Sequence, residues 1–276
     1  MKPMNRRRFL QGVAATALAA KGLGRAQNTP RPRVGLQLYT LRDLLGDRFK
    51  ETLEQVAAMG YKGVEFAGVY GGLNPGELRR FLDGLGLEVA GLHVPLEQLE
   101  QGLDGQVALA RALGTPYLVC PWLDAGLRGS EAKWRELFGR LERLGKACRA
   151  AGLRLVYHNH EFEFEEKVGG RPAFDALFAA APSLEAELDV AWAHAGGQDP
   201  AAYVRKYTGR LPLVHLKDLE GRRTVELGRG EVPVEAAVRA AQASGVRWLL
   251  VEQDESARPL ESVRVSLEWL RSRKLV

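Results

Sequence analysis

Residues 151–160, Ala-Gly-Leu-Arg-Leu-Val-Tyr-His-Asn-His, contain one complete unit of the pattern that decides the fold. Gly152 can take the left-handed conformation that ends a helix and reverses the chain. The apolar run that follows is typical of a buried parallel strand. His158 and His160 come at the end of that run. Burial of ionisable groups there is unfavourable in free energy, so their presence indicates a function. The stretch therefore predicts a helix, a strand and a functional position, in that order.

The same order of helix, glycine and apolar strand occurs five times, with the glycines at Gly60, Gly86, Gly114, Gly152 and Gly245. Together with three further apolar runs this predicts eight strands that alternate with helices, at residues 34–38, 63–66, 89–93, 117–120, 153–157, 184–188, 211–215 and 248–252. Eight such units favour an α/β fold, a (β/α)8 TIM barrel, over two smaller domains. No linker or low-complexity tract interrupts the chain, so we expect a single domain over residues 30–276.

The first 26 residues are typical of a twin-arginine signal peptide. The sequence Asn-Arg-Arg-Arg-Phe-Leu-Gln (5–11) precedes a weakly apolar run, Gly12 to Ala20, which is too short for a permanent membrane anchor. Cleavage is expected after Ala26. The alternative is a disordered basic tail. A signal of this kind implies recognition by the twin-arginine export machinery and a periplasmic location.

The basic charge of the chain comes from this leader. Residues 1–26 contain six Lys and Arg and no acid, so without them the formal charge falls from +5 to −1. A chain with that charge has little attraction for phosphate backbones, and we expect no nucleic-acid partner. Cys120 and Cys148 are the two cysteines, which excludes a disulfide framework and predicts reduced thiols in the core.

Polar side chains follow nearly every predicted strand. In a TIM barrel the carboxyl ends of the strands carry the active site, so these side chains are the candidates for function. They are Gln37, Glu65, His93, Trp122, His158, His160, Glu161, Asp189, His215, Lys217, Glu252, Gln253 and Asp254.

Seven motifs occur in order along the chain: Gly-Leu-Gln-Leu-Tyr-Thr-Leu-Arg (35–42), Gly-Val-Glu-Phe (63–66), Tyr-His-Asn-His-Glu-Phe-Glu-Phe (157–164), Glu-Leu-Asp-Val-Ala-Trp (187–192), Val-His-Leu-Lys-Asp (214–218), Glu-Leu-Gly-Arg-Gly-Glu-Val-Pro (226–233) and Val-Glu-Gln-Asp (251–254). Across nearly all of residues 33–275 the chain thereby resembles the sugar phosphate isomerase/epimerase family of xylose-isomerase-like TIM barrels. The resemblance implies one divalent metal ion, held by one residue from each of strands five to eight. Asp189, His215 and Glu252 match three of those positions.

Strand five departs from the family pattern. The resemblance implies a glutamate at its tip, often within Glu-Asn-His, whereas this chain has His158-Asn159-His160. By this match His158 is the fourth ligand, because a neutral imidazole can replace a carboxylate at a divalent metal. Glu161, the rival to His158, or Glu163 could instead supply a carboxylate ligand.

The same substitution bears on proton transfer. In the family's epimerases, glutamates of strands five and eight face each other across the sugar, and one removes the proton next to the carbonyl while the other returns it. With a histidine at strand five, Glu252 becomes the principal base. The second proton carrier is then His160, Glu163 or Lys217. An asymmetric pair of this kind also suits elimination or hydration.

Four further residues are candidates for contact with the substrate, namely Glu65, His93, Trp122 and Trp192. Tryptophan can stack on a sugar face, although tryptophan and histidine are also common packing residues at a barrel rim. Lys217 has a second interpretation, as a partner of Asp218. The chain offers no glycine-rich phosphate cradle, so we expect an unphosphorylated sugar.

The resemblance implies a sugar isomerase or epimerase that acts on a sugar or keto-sugar through an enediolate. Mn²⁺ is the expected metal, with Co²⁺, Zn²⁺ or Mg²⁺ as alternatives, because mixed nitrogen and oxygen ligands suit all of them. Alternatives on the same barrel are a 3-keto-glycoside lyase or hydratase, an inosose dehydratase and a non-catalytic sugar-binding protein. Apurinic endonucleases of type IV share the barrel, but they need three zinc ions, and Trp192 stands where they place a histidine. A homodimer is compatible with each of these functions.

Overall fold

The computed structural model describes residues 31–276, which form a closed barrel of eight parallel strands. Each strand pairs with the next along the chain, and the last closes the ring on the first. All eight predicted strands are present, within two residues at each end, so the predicted single-domain (β/α)8 barrel is confirmed. Numbered β1 to β8 in chain order, the strands are Arg33–Gln37, Gly63–Phe66, Glu88–His93, Tyr117–Cys120, Arg154–His158, Glu185–Asp189, Leu213–Leu216 and Trp248–Val251.

Helices surround the barrel, and none of those within residues 31–276 has the length and apolar character needed to cross a membrane. The α-helices, α1 to α10, are Phe49–Met59, Pro75–Leu85, Leu96–Leu113, Glu131–Ala150, Phe162–Glu165, Ala173–Ala180, Val190–Ala195, Pro200–Lys206, Val234–Ala243 and Pro259–Ser272. Two 3₁₀ helices cover Leu38–Leu44 and Ala125–Leu127, and two short hairpins pair Lys167–Val168 with Arg171–Pro172 and Asp218–Glu220 with Arg223–Val225.

Glycines reverse the chain between helix and strand, as the repeat predicts. All five have positive φ, 101° at Gly60, 67° at Gly86, 75° at Gly114, 77° at Gly152 and 75° at Gly245. A side chain would be strained in this conformation, which glycine adopts freely. The spacing of these residues therefore sets where each strand enters the barrel.

The inside of the barrel is filled in layers. An apolar cluster that includes Tyr117, Val156 and Trp248 forms the lower layer. The Trp248 ring lies against Gly63, where a Cβ atom would be 2.5 Å from it. Since alternate residues of a strand face the same side, the inward positions above Trp248 on β8 are Leu250 and then Glu252. The lower layer is thus an apolar floor, and polar groups lie above it.

Both cysteines are buried and unpaired, as predicted. Burial raises the pKa of the Cys120 thiol to about 12 and that of Cys148 to about 11. Thiols with such pKa values stay protonated at neutral pH and are poor nucleophiles. They act as packing groups. The predicted signal at residues 1–26 lies outside the described residues.

Candidate active site

A cavity of about 690 Å³ opens at the carboxyl ends of the strands. Its lining includes His158, His160, Lys217 and Glu252, together with side chains from the loops after the first four strands. This is where a TIM barrel places its active site. The polar residues expected there are brought together by the closing of the barrel.

Four of these residues form a cluster that could hold one metal ion. Their ligand atoms lie within 4.8 Å of one another, and all four side chains are buried. One comes from the end of each of β5, β6 and β7, and one directly follows β8. They are His158, Asp189, His215 and Glu252.

Asp189 fits the role of a metal ligand best on its own contacts. Its Oδ1 accepts hydrogen bonds from the backbone N–H groups of Ala191 and Trp192, at 2.9 and 3.0 Å, so it caps helix α7 and is held in place. Its Oδ2 is buried and accepts no hydrogen bond from residues 31–276, although the Lys217 ammonium lies 3.1 Å away. Buried carboxylate oxygens are rarely left in this state, and an ion is one of the usual reasons.

A second layer of acids lies beneath the cluster. His215 Nε2 is 2.7 Å from Glu65 Oε2 and 3.2 Å from Glu187 Oε2, while its Nδ1 is 2.8 Å from Glu252 Oε2. His158 Nδ1 is 3.2 Å from Glu187 Oε2. Glu65 and Glu187 would hold a proton on His215 Nε2, and Glu187 one on His158 Nδ1. His215 Nδ1, beside Glu252, and His158 Nε2 would then face a metal.

Glu187 is the member of the site that sequence reasoning missed. It is fully buried, and His93, His158 and His215 all contact its Oε2 atom, so it belongs to a second group of potential ligands. Burial alone would raise its pKa, but the imidazoles, His215 first, lower it well below the usual value. The alternation Glu185, Glu187, Asp189 along β6 was the signal that could have found it.

His93 and Glu65 lie in this second layer, beneath the ligand cluster and above the apolar floor. His93 Nε2 is 3.0 Å from Glu187 Oε2 and 3.1 Å from Glu65 Oε2, and Glu65 also accepts a hydrogen bond from Gln37 at 2.8 Å. Burial disfavours the charged form of His93, yet the carboxylates of Glu65 and Glu187 outweigh it and raise its pKa to about 9. His93 lines the cavity, whereas Glu65 lies beneath the imidazoles.

Lys217 is a buried cation among three carboxylates. Its Nζ is 3.1 Å from Asp189 Oδ2, 3.1 Å from Glu252 Oε2 and 2.9 Å from Asp254 Oδ1. Burial lowers the pKa of a lysine, but here the three acids raise it well above its usual value, so the ammonium keeps its proton. The carboxylate nearest to this ammonium is Asp254, and Glu252 and Asp189 follow at equal distances.

Asp218 does not pair with Lys217, which corrects the second interpretation of that lysine. Neighbours in extended backbone point in opposite directions, so Lys217 faces the cavity while Asp218 faces outward. The Asp218 carboxylate instead accepts backbone hydrogen bonds from Leu219, Gly228, Gly230 and Val232, at 2.9 to 3.0 Å. It therefore holds the loop at residues 226–233.

The residues after β5 take three different directions. His160 lines the cavity, and burial together with the positive charge of its neighbours lowers its pKa well below the usual value. Glu161 pairs with the exposed Arg222, at 2.9 Å, and is not among the clustered ligands. Glu163 is buried away from the cavity, where Tyr157 and the backbone N–H of His160 donate to it. Burial raises the pKa of Glu163 to about 8.

The two tryptophans differ in their access to the cavity. Trp122 lines it with 44% of its surface exposed, and its ring stands edge-on to His160, with centroids 4.4 Å apart. Trp192 is partly buried and is not part of the lining. Its ring packs near His160, at 6.0 Å, and lies 5.2 Å from Lys217 Nζ. Trp192 is thus placed to support these two side chains.

Comparison with known proteins agrees with the fold. An inosose dehydratase from Lacticaseibacillus casei is 23% identical over 267 residues, which cover 80% of this chain and 88% of that protein. A sugar phosphate isomerase/epimerase from Parabacteroides distasonis superposes with a TM-score of 0.76 at 22% identity, over 88% of this chain and 99% of the other. A protein named IolI, crystallised with a zinc atom, superposes with a TM-score of 0.71 at 14% identity, over 88% and 98% of the two chains. A profile of the xylose isomerase-like TIM barrel family matches residues 53–273. Since that match spans most of its length, the chain belongs to the xylose isomerase-like TIM barrel family.

Proposed function

We propose that this protein is a divalent-metal-dependent enzyme that removes the proton next to the carbonyl of an unphosphorylated keto-sugar. The observation that carries the proposal is the convergence of four ligand residues at a cavity large enough for a sugar. Asp189 Oδ2, which is buried without a hydrogen bond and lies 3.1 Å from the Lys217 ammonium, favours positive charge at this point. Relatives that are dehydratases and isomerases or epimerases agree with such chemistry.

The ligands in this proposal are His158, Asp189, His215 and Glu252. Bound there, a divalent cation would act as a Lewis acid that polarises the carbonyl and makes the neighbouring C–H more acidic. Two imidazoles and two carboxylates suit Mn²⁺, Co²⁺, Zn²⁺ or Mg²⁺, and we propose Mn²⁺.

Glu252 is the proposed base. Burial would raise its pKa, but Lys217 and His215 lower it well below the usual value, so the carboxylate is ionised and can accept a proton. The Lys217 ammonium lies 3.1 Å away, and because its raised pKa keeps it protonated it can donate a hydrogen bond to a departing hydroxyl. A base beside a fixed cation suits the loss of water, since Glu252 takes the proton next to the carbonyl and can pass it to the departing hydroxyl that the ammonium holds. We therefore propose dehydration or a related elimination as the leading outcome.

Epimerisation or isomerisation is the second candidate, and His160 favours it. Its Nδ1 atom is buried without a hydrogen bond to the described chain, and the lowered pKa keeps the imidazole neutral. A neutral imidazole can take up a proton and then donate it to the carbon from which Glu252 has removed one. His160 follows β5, the strand that carries the second glutamate in the epimerases.

Proton NMR in D₂O tests the proposal with 3-keto-glucosides and free ketoses as substrates. With Mn²⁺-loaded protein we expect the signal of the proton next to the carbonyl to disappear, and chelator should abolish this. Elimination adds a vinylic signal, whereas epimerisation adds the signals of the epimer. Glu252→Gln should slow the exchange by at least about a hundredfold. Glu268→Gln, at an exposed acid of α10 that does not line this cavity, is the matched control. A purified protein that lacks a tightly bound divalent ion, catalyses no exchange and is indifferent to chelator contradicts the proposal.

We also propose that residues 1–26 direct export of the folded chain through the twin-arginine route to the periplasm. Their sequence order supports this, with paired arginines, Phe-Leu and an Ala-rich run. Export in the folded state suits a metal enzyme, because its ligands can be loaded before transport.

A further inference from the structure

The cavity is larger than one sugar ring needs. A hexose has about twelve non-hydrogen atoms and would take at most about 360 Å³, even at the ~30 Å³ that each water molecule occupies in the liquid. The cavity has about 690 Å³. A single ring at the ligand cluster therefore leaves room for a second.

The extra space lies on the half of the barrel that carries no ligand of the cluster. The four ligands come from β5 to β8, whereas most of the lining comes from the loops after β1 to β4. A molecule that fills the cavity spans both halves. The lining of this ligand-free half includes Tyr39, Arg42, Tyr70, Gln98, Gln106 and Trp122.

Two aromatic rings are exposed in this half. Tyr39 and Trp122 each have 44% of their surface accessible, and among residues 31–276 the other exposed large apolar side chains are Val69 and Val276. Exposed aromatic side chains that line a cavity are typical of ligand contact, and a flat ring matches the apolar face of a sugar.

Both rings are held in position by their surroundings. The backbone N–H of Tyr39 donates to the Gln37 side chain at 3.0 Å, and the Arg42 guanidinium lies 4.2 Å from the Tyr39 ring centre. Trp122 Nε1 donates to Asp124 at 3.2 Å, and its edge rests on His160. Rings fixed in this way lose little freedom when a ligand binds.

The polar groups of this half suit hydroxyls rather than phosphate. Gln98 and Gln106 lie on α3, on either side of the kink at Gly102, and their amides make no hydrogen bond to the described residues. Each amide can both donate and accept, as a hydroxyl requires. Arg42, the arginine of this lining, already donates to the Tyr39 carbonyl at 2.9 Å, and the His93 ring is held by Glu65 and Glu187.

We propose that the substrate is a two-ring glycoside, with the reacting keto-sugar at the ligand cluster and a second sugar ring docked against Tyr39 and Trp122. This rests on the proposed function, since it assigns the reacting ring to the metal end. It assigns the chemistry to the β5–β8 half of the cavity and the selection of the second ring to the β1–β4 half.

Two substrates with the same reacting ring test the assignment, methyl 3-keto-glucoside and a disaccharide of 3-keto-glucose linked to glucose. For the Mn²⁺-loaded full chain we expect kcat/KM about tenfold higher for the disaccharide, mainly through a lower KM. Tyr39→Ala and Trp122→Ala should each bring the ratio of the two kcat/KM values close to one. Val69→Ala is the matched control, because Val69 is exposed and stands between the lining residues Gly68 and Tyr70 but does not itself line the cavity. It should leave the ratio unchanged.

A wild-type ratio near one, or a ratio that neither aromatic substitution changes, overturns the inference. If neither compound reacts with any metal, the proposed function fails, and calorimetry with the same two compounds then decides about the second ring. Tighter binding of the disaccharide that is lost in Tyr39→Ala and Trp122→Ala supports the second site. Equal binding of the two compounds refutes it.

Discussion

Glu187 occupies the centre of the residue layer that supports the candidate ligands. Its Oε2 atom contacts imidazoles of His93, His158 and His215, two of which belong to the ligand cluster. We expect Glu187→Gln to weaken divalent-metal binding by about 10- to 100-fold, because the amide loses the charge that orients these imidazoles. Competition against a chelating dye measures the affinity.

Glu185→Gln is the matched control for this substitution. Glu185 is on the same strand, but its carboxylate pairs with Arg154, away from the ligand cluster. Its loss should leave the metal affinity unchanged. Equal metal affinities for Glu187→Gln and the wild type would show that Glu187 does not orient the metal ligands.

Individual site residues were predictable where they stand at a strand tip. His158, Asp189, His215 and Glu252 come together because parallel strands of a barrel end at one rim. Glu187 was missed because it lies two residues inside β6, where the alternation of acids indicates the direction of its side chain but not its hydrogen-bond partners. Those partners come from three other strands, and sequence spacing carries no information about them.

The loop at residues 226–233 depends on one carboxylate. Four backbone N–H groups point at Asp218, and an amide in its place would turn donors toward at least one of them. We expect Asp218→Asn to lower the free energy of unfolding by roughly 3 kcal/mol, since hydrogen bonds to charged groups contribute about 1.5–3 kcal/mol each. Urea unfolding at equilibrium measures the change.

Asp104→Asn serves as the comparison, because Asp104 is exposed on α3. Its free energy of unfolding should stay within about 0.5 kcal/mol of the wild type. If Asp218→Asn were as stable as Asp104→Asn, the loop would be held by other contacts.

Secondary-structure elements with strong local signals were predictable, and short ones were not. A glycine with positive φ before an apolar run marks five of the helix-to-strand turns, which is why the barrel could be predicted from the sequence. Helix α5 has four residues and no such signal. It turns Glu161 toward Arg222 and Glu163 toward Tyr157, so strand alternation could not place these two carboxylates.

For the molecule as a whole, the proposed route to the periplasm is open to a direct test. We expect a reporter fused to residues 1–30 to reach the periplasm and Arg6,Arg7→Lys,Lys to abolish export, because the machinery reads the arginine pair rather than the charge. Cell fractionation measures the location. Lys21→Gln, which removes a charge outside the pair, should still be exported. Retention of the unmutated fusion in the cytoplasm would refute the proposed signal.

The cavity divides between two halves of one rim, and this division has an evolutionary consequence. Substitutions and insertions in the loops after β1 to β4 can change which molecules are admitted while the side chains of β5 to β8 stay intact. Descendants of such a barrel can therefore keep one reaction and acquire new substrate specificities. Gene duplication followed by sequence changes in four loops is enough to begin that divergence.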